Sequence, residues 1–477
     1  MKNLNKSFWA PLMAIAMVLG ACDDFLDVNT DPNNPTEVSP ALLLTSAQSY
    51  LAYTVGGDMD RYAGIFVQHY AGVQGQAQEE YDIYNFNDDE TNNFWRFGIY
   101  AGALGDLDLL LKQADESGSP HYAGVAKVMM GYGIGLMADL FGPVPFSQAF
   151  QLTDNPRPTY DKQEAIYNAI QSLMNEAIAD LQADESTFSP GSDDLVFGGD
   201  LDAWVRFANL VKLRYYNHKS LRDPQGSAQD VLSLLDGNAA HLQSNADDAK
   251  FVFVNSPNAT NPLFQFEQQR GQIAVSDVVL DELMIPLADP RIPMYAATIA
   301  DGLSYAGAPN GSATQDQGHA LYSAVGPFHA SPASPVFWGT YYELKFIEAE
   351  AALRLDNKIR AHAAYLAAIR ASFDLLGMSQ EKYDAYLAQA AVDPGVDGIS
   401  LRLIMEQKYL AMFARGAESW TDWRRTGFPL LQPADNNLTG GVIPVRFPYP
   451  ESELNFNAGN VPAATILDPT WFQGGTE

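Results

Sequence analysis

Residues 342–355, YELKFIEAEAALRL, and residues 359–376, IRAHAAYLAAIRASFDLL, decide the fold class of this 477-residue chain. Both stretches are rich in good helix formers, and neither contains glycine or proline. Only Asp356-Asn357-Lys358 separates them, and so short a connection places two helices side by side in opposite directions. The sequence therefore predicts an antiparallel helix pair.

Seven further segments have helical character, and some of them also form pairs with short connections. They are residues 40–54, 59–70, 94–112, 122–141, 161–183, 204–221 and 401–415. The apolar stripe of residues 161–183 is the clearest, with spacings of three and four, and consists of Ile166, Ile170, Leu173, Ala177 and Leu181. The pattern indicates a mainly α fold with tetratricopeptide-like stacking, although the strict consensus of about 34 residues is absent.

Two stretches depart from this helical pattern. Residues 243–341 are rich in glycine, proline, serine, asparagine and aromatic residues, and residues 74–93 form a shorter irregular stretch. Long irregular segments inside a globular chain commonly carry function. We therefore predict a single domain over residues 40–477, with an irregular ligand-binding or insertion region at about 243–341.

The first 39 residues have the features of a targeting segment and a tether. Lys2 and Lys6 precede an apolar run over residues 8–21, which is shorter than the roughly 20 residues of a membrane span. The sequence predicts a signal peptide at 1–21, and the only cysteine, Cys22, follows it. Leu19-Gly20-Ala21-Cys22 resembles a bacterial lipobox, which implies lipidation of Cys22; the alternative is a plain secretory signal with a chance cysteine.

The residues after Cys22 indicate where the anchored protein faces. Residues 22–39 form an acidic tether rich in proline and asparagine, beginning Asp23-Asp24-Phe25-Leu26-Asp27. This acidic cluster resembles the surface-export signal of Bacteroidetes lipoproteins and implies the outer face of the outer membrane. The alternative is a merely solvated tether.

The charge and cysteine content exclude several classes of function. The chain carries 28 basic and 58 acidic residues, a formal net charge of −30. It has no basic stripe, so nucleic acid is not an expected partner. An anionic membrane surface would also repel it unless a covalent anchor held it there. One cysteine makes no intramolecular disulfide and no cysteine-based zinc site.

Several strings in this order resemble the SusD/RagB-like outer-membrane lipoproteins, in the SusD-like branch typical of Bacteroidetes. The strings are ADLFGPVP (138–145), LVKLRYY (210–216), ELKFIEAEA (343–351), EQKY (406–409) and ESWTDWRRTG (418–427). The resemblance implies a scaffold of four tetratricopeptide-like helix pairs with irregular loops that form the ligand surface. It also implies a non-enzymatic protein that binds nutrient oligomers, most often oligosaccharides and sometimes peptides.

The same resemblance implies the partner and the cofactor requirement. Members of the family cap a SusC-like TonB-dependent transporter and deliver ligand for import. Uptake requires no cofactor, although a structural calcium occurs in some members. An oligosaccharide ligand is the first hypothesis, and a peptide ligand of the same uptake system is its alternative.

The residues give little support to an enzyme. The chain has no Gly-x-Ser-x-Gly nucleophile motif, no His-Glu-x-x-His motif and no EF-hand pattern. Glycoside hydrolysis needs two positioned carboxylates, and the acidic runs Asp88-Asp89-Glu90, Asp193-Asp194 and Asp247-Asp248 have the composition of solvated loops. No catalytic residue and no metal ligand is therefore predicted, and an outer-membrane glycoside hydrolase stays the weaker alternative.

Aromatic residues in the irregular stretches are the candidate ligand contacts, because a sugar ring presents C–H faces to an aromatic ring while its hydroxyls need polar partners. The predicted contacts are Tyr81, Tyr84, Phe86, Asn87, Tyr322, Phe328, Phe337 and Trp338. The alternative prediction for each of these aromatic rings is that it packs in the protein core. Trp420 and Trp423, in the last family string, are predicted to be core anchors, with Asp422 paired to a nearby arginine.

Overall fold

A computed structural model describes residues 38–151, 153–237, 239–313 and 318–476. Cys22, the predicted signal peptide and the tether up to residue 37 lie outside the described residues. The described residues contain seventeen α-helices and four short strands, so the prediction of a mainly α fold is confirmed.

Helices make up most of the described chain. The α-helices are α1 (Pro40–Thr54), α2 (Asp60–Phe66), α3 (Gly75–Glu79), α4 (Gly105–Ser117), α5 (Pro120–Phe141), α6 (Gln163–Leu181), α7 (Leu201–His218), α8 (Pro224–Asp236), α9 (Pro262–Gln269), α10 (Ile292–Tyr295), α11 (Tyr341–Arg354), α12 (Lys358–Leu375), α13 (Gln380–Leu387), α14 (Gly395–Gly398), α15 (Leu401–Ala411), α16 (Gly416–Thr426) and α17 (Glu451–Phe456). Wider π-helical turns occur at Val55–Met59, Asn93–Leu104 and Val278–Met284. Short 3₁₀ turns occur at Tyr81–Ile83, Lys219–Leu221, Asn245–Asp247, Gly318–Ala320 and Trp471–Gln473.

Eight of these helices pack in a continuous stack. Contacts run in the order α1, α4, α5, α6, α7, α8, α11 and α12, each helix packing on the next, which corresponds to four helix pairs. The two helices predicted from residues 342–376 form one of the most extensive contacts, α11 on α12. Asn357 caps α12 by accepting from the Arg360 amide, which explains why the chain reverses so sharply there.

Helix α5 forms the centre of the stack. Pro120 lies in its first turn and Gly142 follows its last residue. Among the described helices, α5 alone is long and apolar enough to cross a membrane, but 94% of its apolar window is buried inside the protein. Its composition is that of a core helix enclosed on all sides.

The four strands form two small antiparallel sheets beside the stack. Strand β1 (Tyr70–Gly72) pairs with β3 (Ile273–Val275), and β2 (Ala249–Val252) pairs with β4 (Pro335–Gly339). Three of the four strands therefore come from the irregular region predicted at 243–341. The sheets join this region to the helical body through β1, which follows α2.

Buried ion pairs connect the helices that carry the family strings. Arg214 of α7 lies 2.7 Å from Glu343 of α11, which also pairs with Arg415 at 2.7 Å. Asp422 of α16 lies 2.6 Å from both Lys408 of α15 and Arg425. These side chains are at most 8% exposed. The charged residues of the strings therefore hold the scaffold together, because a buried charge is tolerated only with a partner.

Trp420 is fully buried on α16, and its indole N–H donates to the Pro444 carbonyl. Trp423 is partly buried against the same core. The predictions that these tryptophans anchor the core and that Asp422 pairs with an arginine are both confirmed.

In two of the acidic runs expected to be solvated, the second aspartate is buried, while Asp193 and Asp247 are partly exposed. Asp194 is 3% exposed and accepts from the Trp204 indole N–H at 2.8 Å and from the Gly199 amide at 2.9 Å. Asp248 is also 3% exposed and accepts from the Tyr341 amide at 2.8 Å. Both carboxylates organise loops, and neither is available at the surface.

Candidate functional site

A polar cleft of about 310 Å³ opens where four separate parts of the chain meet. The end of α1 and the following π-helical turn form one side, α2 and the loop from α3 to residue 93 form the base, and α9 with the residues after it forms the other side. The residues that line this polar cleft are Tyr53, Gly57, Asp58, Arg61, Tyr62, Gln76, Tyr81, Glu90, Asn93, Pro262, Gln265, Phe266, Gln269, Arg270 and Gln272.

Arg61 has a fixed position in the wall of the cleft. Its guanidinium carbon lies 4.1 Å from the centre of the Phe266 ring, and one of its terminal nitrogens lies 2.6 Å from Asp58. Burial disfavours the charged form, but the Asp58 carboxylate outweighs it, so the pKa of Arg61 is raised. The cleft therefore contains a permanently charged donor that is stacked between protein groups.

Glu90 is the main acceptor at the base of the cleft. The Tyr81 hydroxyl donates to one of its oxygens at 2.6 Å, and the Gln76 amide donates to the other at 3.0 Å. Burial raises the pKa of Glu90, while the bond from Tyr81 acts in the opposite direction. These bonds orient the carboxylate and the Tyr81 ring together.

The wall formed by α9 is rich in glutamine. Asn261 caps α9 by accepting from the Phe264 amide at 3.0 Å, and Pro262 occupies its first turn. Gln265 and Gln269 are four residues apart and so lie on the same face of the helix. Gln265 accepts from the Tyr53 hydroxyl at 3.2 Å, and Gln269 is exposed. Each amide side chain can both donate and accept, which is what a row of hydroxyl groups requires.

The structure brings only one of the eight predicted ligand contacts into this cleft. Tyr81 lines the base although it is only 4% exposed, and Asn87 is exposed but is not part of the lining. No comparison tests which residues contact a ligand, so these two assignments stay predictions.

Three of the predicted contacts lie in the core instead. Tyr84 is 3% exposed, and its hydroxyl accepts from the Ala434 amide at 2.9 Å. Phe86 is 6% exposed and stacks on Phe447. Trp338 is fully buried and stacks on Tyr132. The expectation that these rings are open to a ligand was wrong, because each ring fills space between elements distant in sequence.

The remaining three predicted contacts also lie outside the cleft. Phe337 is 7% exposed, and Phe328 stacks on it with the ring centres 6.2 Å apart. Both rings border an internal cavity of only about 20 Å³, too small for a sugar unit. Tyr322 packs against a small cluster that includes Ala71 and Ala274 of the β1–β3 sheet. These positions favour a structural role for the three rings.

The cleft residues that were not predicted from the sequence are chiefly Tyr53, Arg61, Tyr62 and the glutamines of α9. Tyr53, Arg61 and Tyr62 belong to segments predicted as ordinary helices, and nothing local marks them as ligand contacts. Residues 264–272, FQFEQQRGQ, did carry a signal, since four of nine residues are glutamine. That density of amides in one short segment is the feature that could have directed attention to α9.

One buried group in the described part of the chain has the residue types of a metal site. It consists of Asp139, His218 and Glu418, whose ligand atoms all lie within 4.8 Å of one another. Calcium takes six to eight oxygen ligands, which this set does not supply. His218 lies 2.9 Å from Glu418, and the charges of Glu418 and Asp139 raise its pKa to about 9. The group is an ion-paired triad.

The family model described as "starch-binding associating with outer membrane" matches residues 32–450. This chain therefore belongs to the SusD-like family. Members of the family are glycan-binding proteins associated with the bacterial outer membrane, and the resemblance identified from the sequence strings is confirmed. No curated protein has a sequence that matches this chain.

Solved structures of similar proteins share the whole fold. A SusD/RagB family protein from Bacteroides thetaiotaomicron is 26% identical, with a TM-score of 0.76, over 92% of this chain and 100% of that chain. A chitin-binding SusD homologue from Flavobacterium johnsoniae is 24% identical, with a TM-score of 0.76, over 91% of this chain and 96% of that chain. A SusD homologue from Bacteroides uniformis is 24% identical, with a TM-score of 0.77, over 91% of this chain and 100% of that chain.

Proposed function

We propose that this protein is a non-enzymatic lipoprotein that captures an oligosaccharide in the polar cleft and delivers it to a SusC-like TonB-dependent transporter for import. The proposal rests on the side chains that line the cleft. These side chains combine aromatic rings with oriented hydroxyl, amide and carboxylate groups in one concave surface. That combination suits a ligand whose rings have apolar faces and whose edges carry hydroxyls.

The charge of the molecule supports a neutral ligand. With a net charge of −30, the protein repels anionic polymers. Two arginines line the cleft, Arg61 and the exposed Arg270, and Arg61 is already paired with Asp58. A neutral glycan meets no such barrier. The family description, starch-binding, and the solved relative described as chitin-binding both concern neutral or weakly charged glycans.

Cys22 supplies the anchor in this proposal, and the acidic residues after it direct the protein to the exterior of the outer membrane. The association of the family with the outer membrane supports that location. An anchored receptor on the outside meets oligosaccharides before the transporter does. Closure over the transporter then retains the ligand during import.

The cleft is tested by binding measurements on the detergent-solubilised full chain. Isothermal titration with maltotetraose, cellotetraose and chitotetraose should give saturable binding of at least one of the three oligosaccharides. Gln269→Ala and Asn93→Ala each remove an exposed amide from the cleft and should weaken that binding about three- to tenfold, the value of one or two hydrogen bonds. Gln229→Ala removes an exposed amide from α8, outside the cleft, and should leave the affinity unchanged.

The same samples distinguish the alternatives. If no oligosaccharide bound while a mixture of oligopeptides did, the glycan proposal would fail and the peptide-binding alternative would replace it. A glycoside hydrolase would shorten the oligosaccharide during incubation, which mass spectrometry of the recovered ligand detects. We expect the tetrasaccharide to be recovered intact, because the described cleft carboxylates Asp58 and Glu90 are both engaged by protein donors.

A further inference from the structure

An apolar groove of about 560 Å³ lies next to the polar cleft. One wall is the face of α1 that carries Ser46, Ser49, Tyr50 and Tyr53, residues spaced so that they project from the same side of the helix. The other wall is the end of β2 and the turn after it. The remaining residues that line this apolar groove are Leu195, Phe251, Val252, Phe253, Val254, Asn258 and Ala259.

The apolar groove is open and uncharged. Tyr50, Tyr53, Val252 and Val254 are 47%, 48%, 52% and 56% exposed. Scattered exposed apolar side chains are normal, but a contiguous concave set of them marks a binding surface. None of the lining residues is charged, although the chain as a whole carries 58 acidic and 28 basic residues. The occupant that suits it is therefore neutral and partly apolar.

Alternation along the strand explains how the groove acquires its apolar wall. Phe251 and Phe253 line the groove but are each only 7% exposed, and their rings pack together with centres 4.9 Å apart. Val252 and Val254 point the opposite way, as successive residues of a strand do. Val254 then begins the turn, where its amide donates to the Ala259 carbonyl at 3.1 Å. The two valines are held outward by the packing of the two phenylalanines.

Tyr53 joins the apolar groove to the polar cleft, because its side chain lines both. Its hydroxyl donates to Gln265 on the cleft side, which fixes the ring as a wall between the two spaces. A sugar unit stacked on this ring would direct one edge toward the amides of the cleft and the other edge toward the valines of the groove. The two spaces thus form one continuous surface with a polar half and an apolar half.

We propose that the apolar groove binds the acetamido groups of an oligosaccharide built of N-acetylhexosamine units, an inference that rests on the proposed glycan-binding function. An acetamido group is neutral and ends in a methyl, so its methyl suits Val252 and Val254. Its amide requires a donor or an acceptor nearby, and the Asn258 side chain lines the same groove. A hydroxyl in place of the acetamido group would leave the valines facing water.

Chitotetraose and cellotetraose are the matched probes, since they share the β-1,4-linked pyranose backbone and differ only at carbon 2. The detergent-solubilised full chain should bind chitotetraose at least about tenfold more tightly, the discrimination that one apolar group provides in a hydrophobic pocket. De-N-acetylated chitotetraose lacks the acetyl groups, and in a buffer of about 1 M ionic strength, which screens its positive charge from the acidic protein, it should also bind at least about tenfold more weakly than chitotetraose.

The groove itself is tested by substitution. Val254→Ser should weaken chitotetraose binding about fivefold or more and leave cellotetraose binding unchanged, because only the acetylated oligomer uses the valine. Val442→Ser removes a valine of similar exposure, 46% against 56% for Val254, from a loop outside the groove and should change neither affinity. Thermal unfolding of both variants verifies that the fold is retained.

Four results would overturn the inference. Equal affinity for chitotetraose and cellotetraose, with Gln269→Ala weakening both, would remove the role of the groove but leave the proposed glycan-binding function intact. Binding of the de-N-acetylated oligomer as tight as that of chitotetraose would show that the methyl groups contribute nothing. A third result would be a concentration-dependent dimer in sedimentation that Val254→Ser abolishes without changing the affinity for chitotetraose. That result would show that the groove binds a second copy of the chain. Failure of every tested glycan to bind would reject the proposed function together with this inference.

Discussion

At the scale of single residues, His218 has the most consequential environment in the scaffold. It is 1% exposed, and its ring nitrogens lie 2.9 Å from Glu418 and 3.4 Å from Asp139. Burial alone would lower the pKa of His218, but the charges of Glu418 and Asp139 outweigh it and raise the pKa to about 9. At neutral pH the imidazolium therefore places one positive charge between two buried carboxylates, and Arg214, 3.4 Å from Glu418, supplies a second.

Replacing His218 with glutamine should remove that charge and destabilise the fold. We expect His218→Gln to lower the free energy of unfolding by about 3–5 kcal/mol at pH 6.5, the usual cost of leaving a buried charge without its partner. Urea unfolding at 25 °C measures this change. His241→Gln, at a partly exposed histidine outside the triad, is the control and should change stability by less than about 0.5 kcal/mol.

The pH dependence of the same variant has a definite sign. The pKa of His218 rises from about 6.5 in the unfolded chain to about 9 in the folded protein, so its contribution to the free energy of unfolding is fully present below pH 6.5. That contribution disappears as the pH rises through 9. The stability difference between wild type and His218→Gln should therefore narrow between pH 7 and pH 10. A difference that stayed constant over this range would show that His218 is neutral in the folded state.

At the scale of elements, the close approach of α5 and α7 depends on glycine. A Cβ atom built on Gly135 of α5 would lie 2.0 Å from the Tyr215 hydroxyl of α7. Tyr215 in turn lies 3.3 Å from Asp139, which belongs to the ion-paired triad. The glycine therefore permits a contact between helices that also positions a charged residue.

Gly135→Ala and Gly133→Ala form a matched pair within one helix. Alanine at either position should favour the helix by roughly 1 kcal/mol, but at 135 it must displace the Tyr215 ring. We expect Gly135→Ala to lower the free energy of unfolding by about 1–3 kcal/mol, as overpacking does. At 133 the nearest atom is the flexible tip of Leu104 at 3.0 Å, so the net change should be close to zero. Equal effects of the two variants in urea unfolding would contradict the steric explanation.

The success of the sequence predictions also varies by element. Residues 40–54 and 161–183 correspond closely to α1 and α6, because the period of an amphipathic helix is a local property. Whether an aromatic side chain in a loop is exposed depends, in contrast, on residues that are distant in the sequence. Phe86 and Trp338 lie in irregular stretches, yet their rings are enclosed by Phe447 and Tyr132, which are hundreds of residues away in sequence. Composition alone could not reveal those partners.

The residues of the cleft could not be predicted from the sequence for a related reason. The walls of the cleft come from α1, α2, the loop after α3 and α9, which are far apart in the sequence, so no local motif marks its residues. The family strings, in contrast, were recognisable in the sequence, and their charged residues converge on the buried ion pairs. What the strings identify is therefore the scaffold, while the ligand chemistry lies in segments that carry no recognisable string.

At the scale of the whole molecule, nothing in the described part of the chain offers a membrane attachment. The one apolar helix of spanning length, α5, is enclosed in the core. The net charge of −30 opposes adsorption to an anionic lipid surface. Within the proposed function, attachment to a membrane depends on Cys22, the only cysteine in the chain, which lies before the first described residue.

Cys22→Ala tests this dependence directly. A diacylglycerol and a further acyl chain provide more than the two signals that stable anchoring requires, so their loss should release the protein completely. After cell lysis and ultracentrifugation, we expect wild type in the membrane pellet and Cys22→Ala in the supernatant. Replacing Asp23, Asp24 and Asp27 with asparagine keeps the lipid and should leave the protein in the pellet, but protected from protease added to intact cells. Membrane association of Cys22→Ala would reject the lipid anchor, and protease sensitivity of the triple variant would reject the acidic cluster as the export signal.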